Sequence, residues 1–149
     1  MKIGHVHLKV RDPERSARFY SEFVGMKERE RIGRHFIFMS AGDMHHELAL
    51  QAVGADAPSP GRFHVGLFHA AFEVPDKRAL AGACRKLKDH GIDVAAVDHR
   101  ISWAIYFRDP DGNGVEIYCD TRGEPGNPPL WHGQDRPLAE ASLLAALDE

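Results

Sequence analysis

The chain has 149 residues, of which 43% are hydrophobic and 28% are charged, and its formal net charge is −3. A chain of this length can bury about two thirds of the surface that its unfolded form exposes, so folding requires neither a disulfide nor a structural metal. Because charges of both signs are interspersed and no basic stripe occurs, we exclude nucleic acid and anionic membranes as partners.

The cysteines and the N-terminus indicate a cellular location. Cys84 and Cys119 form no CxxC pattern, which predicts two reduced thiols in a reducing compartment. The chain starts without an apolar signal region, and no apolar run approaches the roughly 20 residues that a membrane span needs. We therefore predict a cytoplasmic protein. Its 10 histidines make a metal site worth seeking by position.

The first part of the chain is predicted to fold as β-α-β-β-β. Residues 4–10 alternate between apolar and polar side chains, which predicts a strand with an apolar back and a polar front carrying His5 and His7. A helix begins at Asp12-Pro13 and stops at Gly25, since aspartate caps helices, proline suits the first turn and glycine ends them. Three further strands are predicted near Lys27–Arg31, His35–Ser40 and His46–Val53.

The same order begins again after the connection Ala55–Gly61. The second series is a strand at Leu67–Val74, a helix at Asp76–His90, and strands near Val94–Asp98, Trp103–Arg108 and Gly114–Cys119. His5 lies 64 residues before His69, and Glu47 lies 69 residues before Glu116, a drift that loop insertions produce. The chain is therefore interpreted as an internal repeat.

These elements predict an α+β fold of two βαβββ modules that form a cupped mixed β-sheet with the helices on its outer face. We assign a single domain to residues 1–121, with module one at 1–54 and module two at 62–121. Residues 122–149 begin with a Gly/Pro-rich stretch and end in apolar residues at helical spacing, namely Leu138, Leu143, Leu144 and Leu147. This pattern predicts a short C-terminal helix packing on the body, a protein partner being the alternative.

Three metal-ligating side chains fall on the polar faces of the predicted strands. His5, His69 and Glu116 must lie on that face together, because the apolar faces of the same strands are needed to pack the helices. Any one of them alone would be typical of an ordinary strand residue, but their equivalent places in a repeat indicate a site. Two imidazoles and one carboxylate leave open positions on Fe(II) and also suit Mn, Ni or Zn.

Two stretches of the chain resemble a known family. Residues 4–20 and 105–119 resemble the glyoxalase/bleomycin resistance/extradiol dioxygenase superfamily, also called the vicinal oxygen chelate superfamily, and within it catechol 2,3-dioxygenase proteins most. The resemblance implies that Fe(II) is bound by the three ligands named above. It also implies an active-site tyrosine at Tyr106, a pocket histidine at His99 and an acid/base histidine at His46.

The adjacent pair His46 and Glu47 divides the interpretation, because neighbouring strand residues point to opposite faces. If Leu48 and Leu50 face the helix, Glu47 faces the cavity and becomes a fourth metal ligand, as in the glyoxalase I pattern. A bulge or a slip of one residue would instead present His46 as a dioxygenase-type proton shuttle. The sequence leaves both alternatives open.

The leading prediction of function is ring cleavage of a catechol-like vicinal diol with O2 at Fe(II). The first alternative is a glyoxalase-type isomerase or lyase on Ni, Zn or Mn, and the second is a non-catalytic protein that binds an aromatic ligand such as an antibiotic. The predicted partner is a small aromatic or dicarbonyl-derived molecule, with a homodimer kept open. The segment Asp109–Asn113 is predicted to be a turn between strands.

Overall fold

A computed structural model describes residues 1–61 and 63–148. Its elements in chain order are β1 (Val6–Val10), α1 (Pro13–Val24), β2 (Lys27–Ile32), β3 (Phe36–Ser40), β4 (Leu48–Ala52), β5 (Ala70–Glu73), α2 (Lys77–Asp89), β6 (Ala95–Asp98), β7 (Ser102–Arg108), β8 (Gly114–Asp120), β9 (Arg136–Pro137) and α3 (Glu140–Ala145). The chain divides into two compact units. Unit 1 comprises Met1–Gly66 and Asp109–Asn113, and unit 2 comprises Leu67–Arg108 and Gly114–Glu149.

Unit 1 contains a four-stranded sheet in the order β1-β4-β3-β2, in which β1 and β4 are parallel and the other pairs are antiparallel. One face of this sheet packs against α1 through β3 and β4. The buried side chains of this face are Leu8, Val10, Ile37, Met39, Leu48 and Leu50. The opposite face carries His7 and Phe38.

Helix α1 begins and ends as its sequence predicts. The side chain of Asp12 accepts hydrogen bonds from the backbone N–H groups of Glu14 and Arg15, and Pro13 occupies the first turn. Gly25 ends the helix with a φ of 78°, a left-handed conformation that glycine adopts at little cost. Tyr20 is fully buried on the face that meets the sheet.

Unit 2 repeats this plan with a five-stranded sheet in the order β5-β8-β7-β6-β9, where β5 and β8 are parallel. Helix α2 is capped by Asp76, whose side chain accepts from the N–H of Ala79 at 2.7 Å, and it packs on β7 and β8. Helix α3 packs on α2 with Leu143 fully buried. An ion pair between Lys88 and Glu140 at 2.5 Å joins the same two helices.

The α+β class, the two βαβββ series and the C-terminal helix are confirmed, with the strands arranged as one sheet in each unit. Strand β4 begins at Leu48 rather than at His46, because Glu47 lies in a bend. Strand β9 was not predicted. Its Pro137 pairs with β6 at the sheet edge, where a residue without an N–H is tolerated. The proposed domain and module boundaries stay predictions. None of the helices described is long and apolar enough to cross a membrane.

The turn Asp109–Asn113 is confirmed and is anchored inside unit 1 by a buried polar network. Asp109 accepts a hydrogen bond from the Tyr20 hydroxyl at 3.1 Å. Asp111 pairs with Arg11 at 3.1 Å and with Arg15 at 2.7 Å, and both aspartates are only 5% exposed. Buried carboxylates are retained only when they are paired, so these contacts fix the conformation of the turn.

Candidate active site

Strands β7 and β8 bring Tyr106 and Glu116 together on the face of the unit 2 sheet opposite to the helices. The two residues are direct partners in the antiparallel register, so their side chains project to the same side. Their neighbours in the strands, Ile105 and Ile117, point to the other side and are buried. Glu116 itself is only 8% exposed, and a buried carboxylate of this kind requires partners.

His69 is the first partner of Glu116, and a close backbone contact sets its position. A Cβ atom added to Gly114 would lie 2.2 Å from the carbonyl oxygen of Phe68, so only glycine allows β8 to approach the chain just before β5. His69 Nε2 lies 2.7 Å from Glu116 Oε2. Its Nδ1 atom is buried and has no hydrogen-bond partner within residues 1–61 and 63–148, and the ring also packs against Phe68 and Tyr106, with centroids 5.5 Å away in each case.

Tyr106 is the second partner of Glu116 and links it to His99. The Tyr106 hydroxyl donates to Glu116 Oε1 at 2.9 Å, and His99 Nε2 lies 2.7 Å from the same hydroxyl oxygen. Burial raises the pKa of Tyr106 well above its ordinary value, and the hydrogen bond and charge of Glu116 raise it further. Tyr106 is therefore a neutral hydroxyl at physiological pH and can donate a proton or a hydrogen bond.

Two residues of the C-terminal segment complete this row, and no sequence pattern predicts either of them. Asp135 Oδ1 lies 2.6 Å from His99 Nδ1 and also accepts from the indole N–H of Trp131 at 2.7 Å. These two hydrogen bonds, that of His99 first, lower the pKa of Asp135, which is ionised at neutral pH. The available signal was weak, because His99 and Asp135 are 36 residues apart and no repeat relates them.

In unit 1 the structure brings His46 against His5. Their ring centroids are 4.5 Å apart, and the His46 ring also contacts Phe38 at 5.0 Å. Partial burial lowers the pKa of His46, and the neighbouring imidazoles of His5 and His45 lower it further. His46 is therefore a neutral imidazole at physiological pH, which is the form that accepts a proton.

Glu47 is held at the end of β3. Its Oε2 atom accepts hydrogen bonds from the Ser40 hydroxyl at 3.2 Å and from the Ala41 N–H at 2.9 Å. Glu47 precedes β4 in a bend, yet its backbone N–H donates to the Met39 carbonyl and its own carbonyl accepts from the Val6 N–H, both at 2.9 Å. The His46 ring contacts His5 and Phe38, while Glu47 bonds the turn that follows β3. Which of His46 and Glu47 faces the metal stays a prediction.

The side chains of unit 2 have donor types that fit a divalent metal. An imidazole nitrogen of His69 and a carboxylate oxygen of Glu116 face each other, and both are ligands of Fe(II), Mn, Ni and Zn. No group of three or more His, Cys, Asp or Glu side chains in the described part of the chain is gathered closely enough to hold a metal. The set His5, His69, Glu116 and Glu47 therefore stays a prediction, as do the catalytic roles of Tyr106, His99 and His46.

Comparison with known families agrees with the fold and with these strands. The model of the Glyoxalase/Bleomycin resistance protein/Dioxygenase superfamily matches residues 2–117. This match covers more than half of the chain and both βαβββ series. The chain belongs to the Glyoxalase/Bleomycin resistance protein/Dioxygenase superfamily.

Individual relatives carry different activities. Catechol-2,3-dioxygenase of Bacillus subtilis is 36% identical over 118 residues, which are 79% of this chain but only 41% of that protein. Lactoylglutathione lyase of Pseudomonas aeruginosa is 28% identical over 155 residues, covering 83% of this chain and 86% of the lyase. A glyoxalase/dioxygenase structure from Nostoc punctiforme has a TM-score of 0.68 at 23% identity, covering 80% and 91% of the two chains. The chain thus spans about two fifths of the dioxygenase.

Proposed function

We propose that this chain is a divalent-metal-dependent enzyme that cleaves a catechol-like vicinal diol with O2, in the manner of extradiol dioxygenases. The observation that carries the proposal is the unbroken row of polar contacts in unit 2, which runs from Asp135 through His99, Tyr106 and Glu116 to His69. A row that joins a carboxylate–imidazole pair to a neutral phenol can position a hydroxylated substrate and move protons. Similarity to catechol-2,3-dioxygenase supports the same chemistry.

His69 and Glu116 are the proposed ligands that the described geometry supports directly, while His5 and Glu47 are proposed on the sequence repeat. When bound, a divalent metal, Fe(II) first and Mn, Ni or Zn as alternatives, lowers the pKa of coordinated hydroxyls and offers open positions. Glu116 serves a second purpose. Its other oxygen accepts from Tyr106, so the carboxylate fixes the hydroxyl of that residue.

Tyr106 and His99 are the proposed hydrogen-bonding residues for the substrate. The raised pKa of Tyr106 keeps its proton in place, so the hydroxyl stabilises a developing negative charge on a neighbouring oxygen by donating to it. His99 contacts the same hydroxyl through Nε2 and can supply or take a proton there. His46, with its lowered pKa, is the proposed base that accepts a proton from the substrate.

A second candidate function is a glyoxalase-type isomerase or lyase. It is supported by the similarity to lactoylglutathione lyase, which is 28% identical and covers 83% of this chain. In this reaction Glu47 or Glu116 would move a proton between neighbouring carbons, and O2 would play no part. Glu47 is half-buried and hydrogen-bonded, so it is ordered as such a role requires.

One experiment separates the two candidates. The purified chain is reconstituted anaerobically with Fe(II), and oxygen uptake is measured with a panel of catechols, while Ni, Zn and Mn forms are assayed with methylglyoxal and a thiol. Oxygen uptake with ring-cleavage product supports the dioxygenase, and O2-independent consumption of the thiol adduct supports the alternative. No turnover with saturating metal would refute both and leave an aromatic-binding protein. A cytoplasmic location and a homodimer also stay predictions.

A further inference from the structure

Residues 131–137, which we call the C-terminal strap, are bound to the corner of unit 2 that carries His99. Strand β9 ends the strap and pairs with β6 through Val97–Pro137 and Asp98–Arg136. The side chain of Arg100 donates to Gln134 at 2.7 Å. The strap lies outside residues 2–117, so nothing in the superfamily match assigns it a role.

The contacts of the strap with His99 come from two directions. Asp135 meets the Nδ1 edge of the ring at 2.6 Å, and the Trp131 ring stands edge-on to the imidazole with centroids 5.7 Å apart. Trp131 also donates its indole N–H to Asp135, which fixes the carboxylate. The His99 side chain is 18% exposed, whereas that of Asp135 is 48% exposed. A partly covered imidazole is thus oriented by a carboxylate that solvent still reaches.

The role of Asp135 follows from which atoms of the row carry protons. An ionised carboxylate can only accept, so a bond at 2.6 Å requires the proton of His99 on Nδ1. The Nε2 atom is then directed at Tyr106. When Nε2 lacks a proton it accepts from the Tyr106 hydroxyl, and when it carries one it donates to the hydroxyl oxygen and leaves the phenol proton for Glu116. The direction of the Tyr106 hydroxyl therefore depends on the state of His99.

We propose that Asp135 is a positioning residue of the site, which holds a proton on Nδ1 of His99 and so presents Nε2 to the Tyr106 hydroxyl. The strap thereby supplies the outermost member of the polar row. The proposal deepens the proposed function, on which its catalytic consequence rests, but the tautomer of His99 is a property of the chain without metal or substrate. Partners of this kind, one bond removed from the reacting groups, fix ring orientation and tautomer in many enzymes.

The direct test is the protonation pattern of His99 in the metal-free protein. Long-range ¹H–¹⁵N spectra of histidine-labelled protein near pH 7.5 report which ring nitrogen carries hydrogen, with the His99 signals assigned by their loss in His99→Gln. We expect a protonated Nδ1 in the parent chain and a shift of the proton to Nε2 in Asp135→Ala. Asp135→Asn should retain Nδ1–H, because its amide oxygen still accepts. Gln134→Ala, in the same strap, is the matched control and should change nothing.

The parent spectrum alone can overturn the proposal. A His99 that is neutral with its proton on Nε2 contradicts it, whether or not any variant folds, and so does an identical pattern in the parent chain and Asp135→Ala. If oxygen uptake is established, Asp135→Ala should lower kcat by roughly 10–100-fold with metal content unchanged, and Asp135→Asn should restore part of the rate. Failure of the proposed function would appear as absent turnover in the parent chain and would leave the spectra as they are.

Discussion

The two units present polar side chains on their sheets in different ways. In unit 2 each group in the row from Asp135 to His69 has a hydrogen-bond partner on its neighbour, and the carboxylate at its centre is 8% exposed. In unit 1 His5 and His46 meet through ring contacts, His46 Nδ1 lies 2.8 Å from His45 Nδ1, and the His45 side chain is 60% exposed. Equivalent strands of a repeat thus hold one ordered row and one loose cluster.

The two units therefore differ in how strongly their polar groups hold one another in place. Hydrogen-bonded groups at low dielectric fix one another, so a change at any member of the unit 2 row should be felt along it. The unit 1 histidines are joined by ring contacts and by one hydrogen bond at the exposed His45, so substitutions there should be coupled less strongly. We therefore expect the side chains of the unit 2 row to keep their positions when a metal or ligand binds, and those of the unit 1 cluster to rearrange.

The largest expected effect follows from removing a proposed metal ligand. His69→Ala and Glu116→Ala should lower metal affinity by at least about 100-fold, because removing one of three protein ligands removes a large part of the free energy of metal binding. His5→Ala should do the same if the repeat-based assignment holds. Metal per chain is measured after dialysis, with His90→Ala as an exposed histidine control. Equal metal content in all variants would contradict the ligand set.

The adjacent pair His46 and Glu47 gives the next largest effect. In a dioxygenase, His46→Ala should lower turnover by roughly 10²–10⁴ with metal retained, the range expected for loss of a general acid or base, while Glu47→Gln matters little. In a glyoxalase-type enzyme the order of the two reverses. Turnover, metal content and a melting curve are needed for each variant. Identical turnover in both variants and the parent would show that neither residue takes part.

Gly114→Ala tests whether the unit 2 row depends on a close backbone approach. The added Cβ would meet the Phe68 carbonyl, so we expect a loss of about 3 kcal/mol in the free energy of unfolding together with weaker metal binding through the displaced His69. Gly123→Ala is the matched control in the same unit, since its added Cβ meets nothing within 4 Å. Similar denaturant midpoints for the two variants would show that the approach is not tight.

Tyr20→Phe tests the buried polar network of unit 1, which is in the turn Asp109–Asn113 and not in the histidine cluster. Losing the bond to Asp109 should cost about 1.5 kcal/mol, because the acceptor is charged and buried. Tyr118→Phe in unit 2 removes a comparable hydroxyl bond to Glu73 that is exposed, and it should cost far less. Chemical denaturation checks both. A larger loss of unfolding free energy in Tyr118→Phe than in Tyr20→Phe would contradict this prediction.

The smallest expected effect is the pH dependence contributed by Asp135. Because its pKa is lower in the folded chain than in the unfolded chain, its contribution to stability is present above its ordinary pKa and is lost as pH falls through the lowered value. The Tm difference between the parent and Asp135→Asn should therefore be small near pH 7 and vanish at strongly acidic pH. A difference that stays constant over this range would show that the carboxylate is not coupled to folding.

Much of the architecture follows from local rules that the sequence displays. The Asp12 cap, the glycine stop and the alternation of β1 and β3 each depend on neighbouring residues, and the repeat predicted that His69 and Glu116 would meet. The sequence leaves the roles of His46 and Glu47 open, because a bend precedes β4 and alternation along the strand does not by itself place the two side chains. Asp135 was missed for a different reason. Its contact with His99 depends on how the chain returns after a Gly/Pro-rich stretch, which no local pattern encodes.

The strap also gives the molecule an optical reporter. The chain has two tryptophans, and Trp131 is the one that stands edge-on to His99 and donates to Asp135. Trp103 has a different environment, with the Lys77 ammonium 4.2 Å from its ring centroid. In a Trp103→Phe background the emission of Trp131 would therefore follow the state of the His99 corner without a label. Ligand entry, metal loading or release of the strap could each be timed by fluorescence in the working protein.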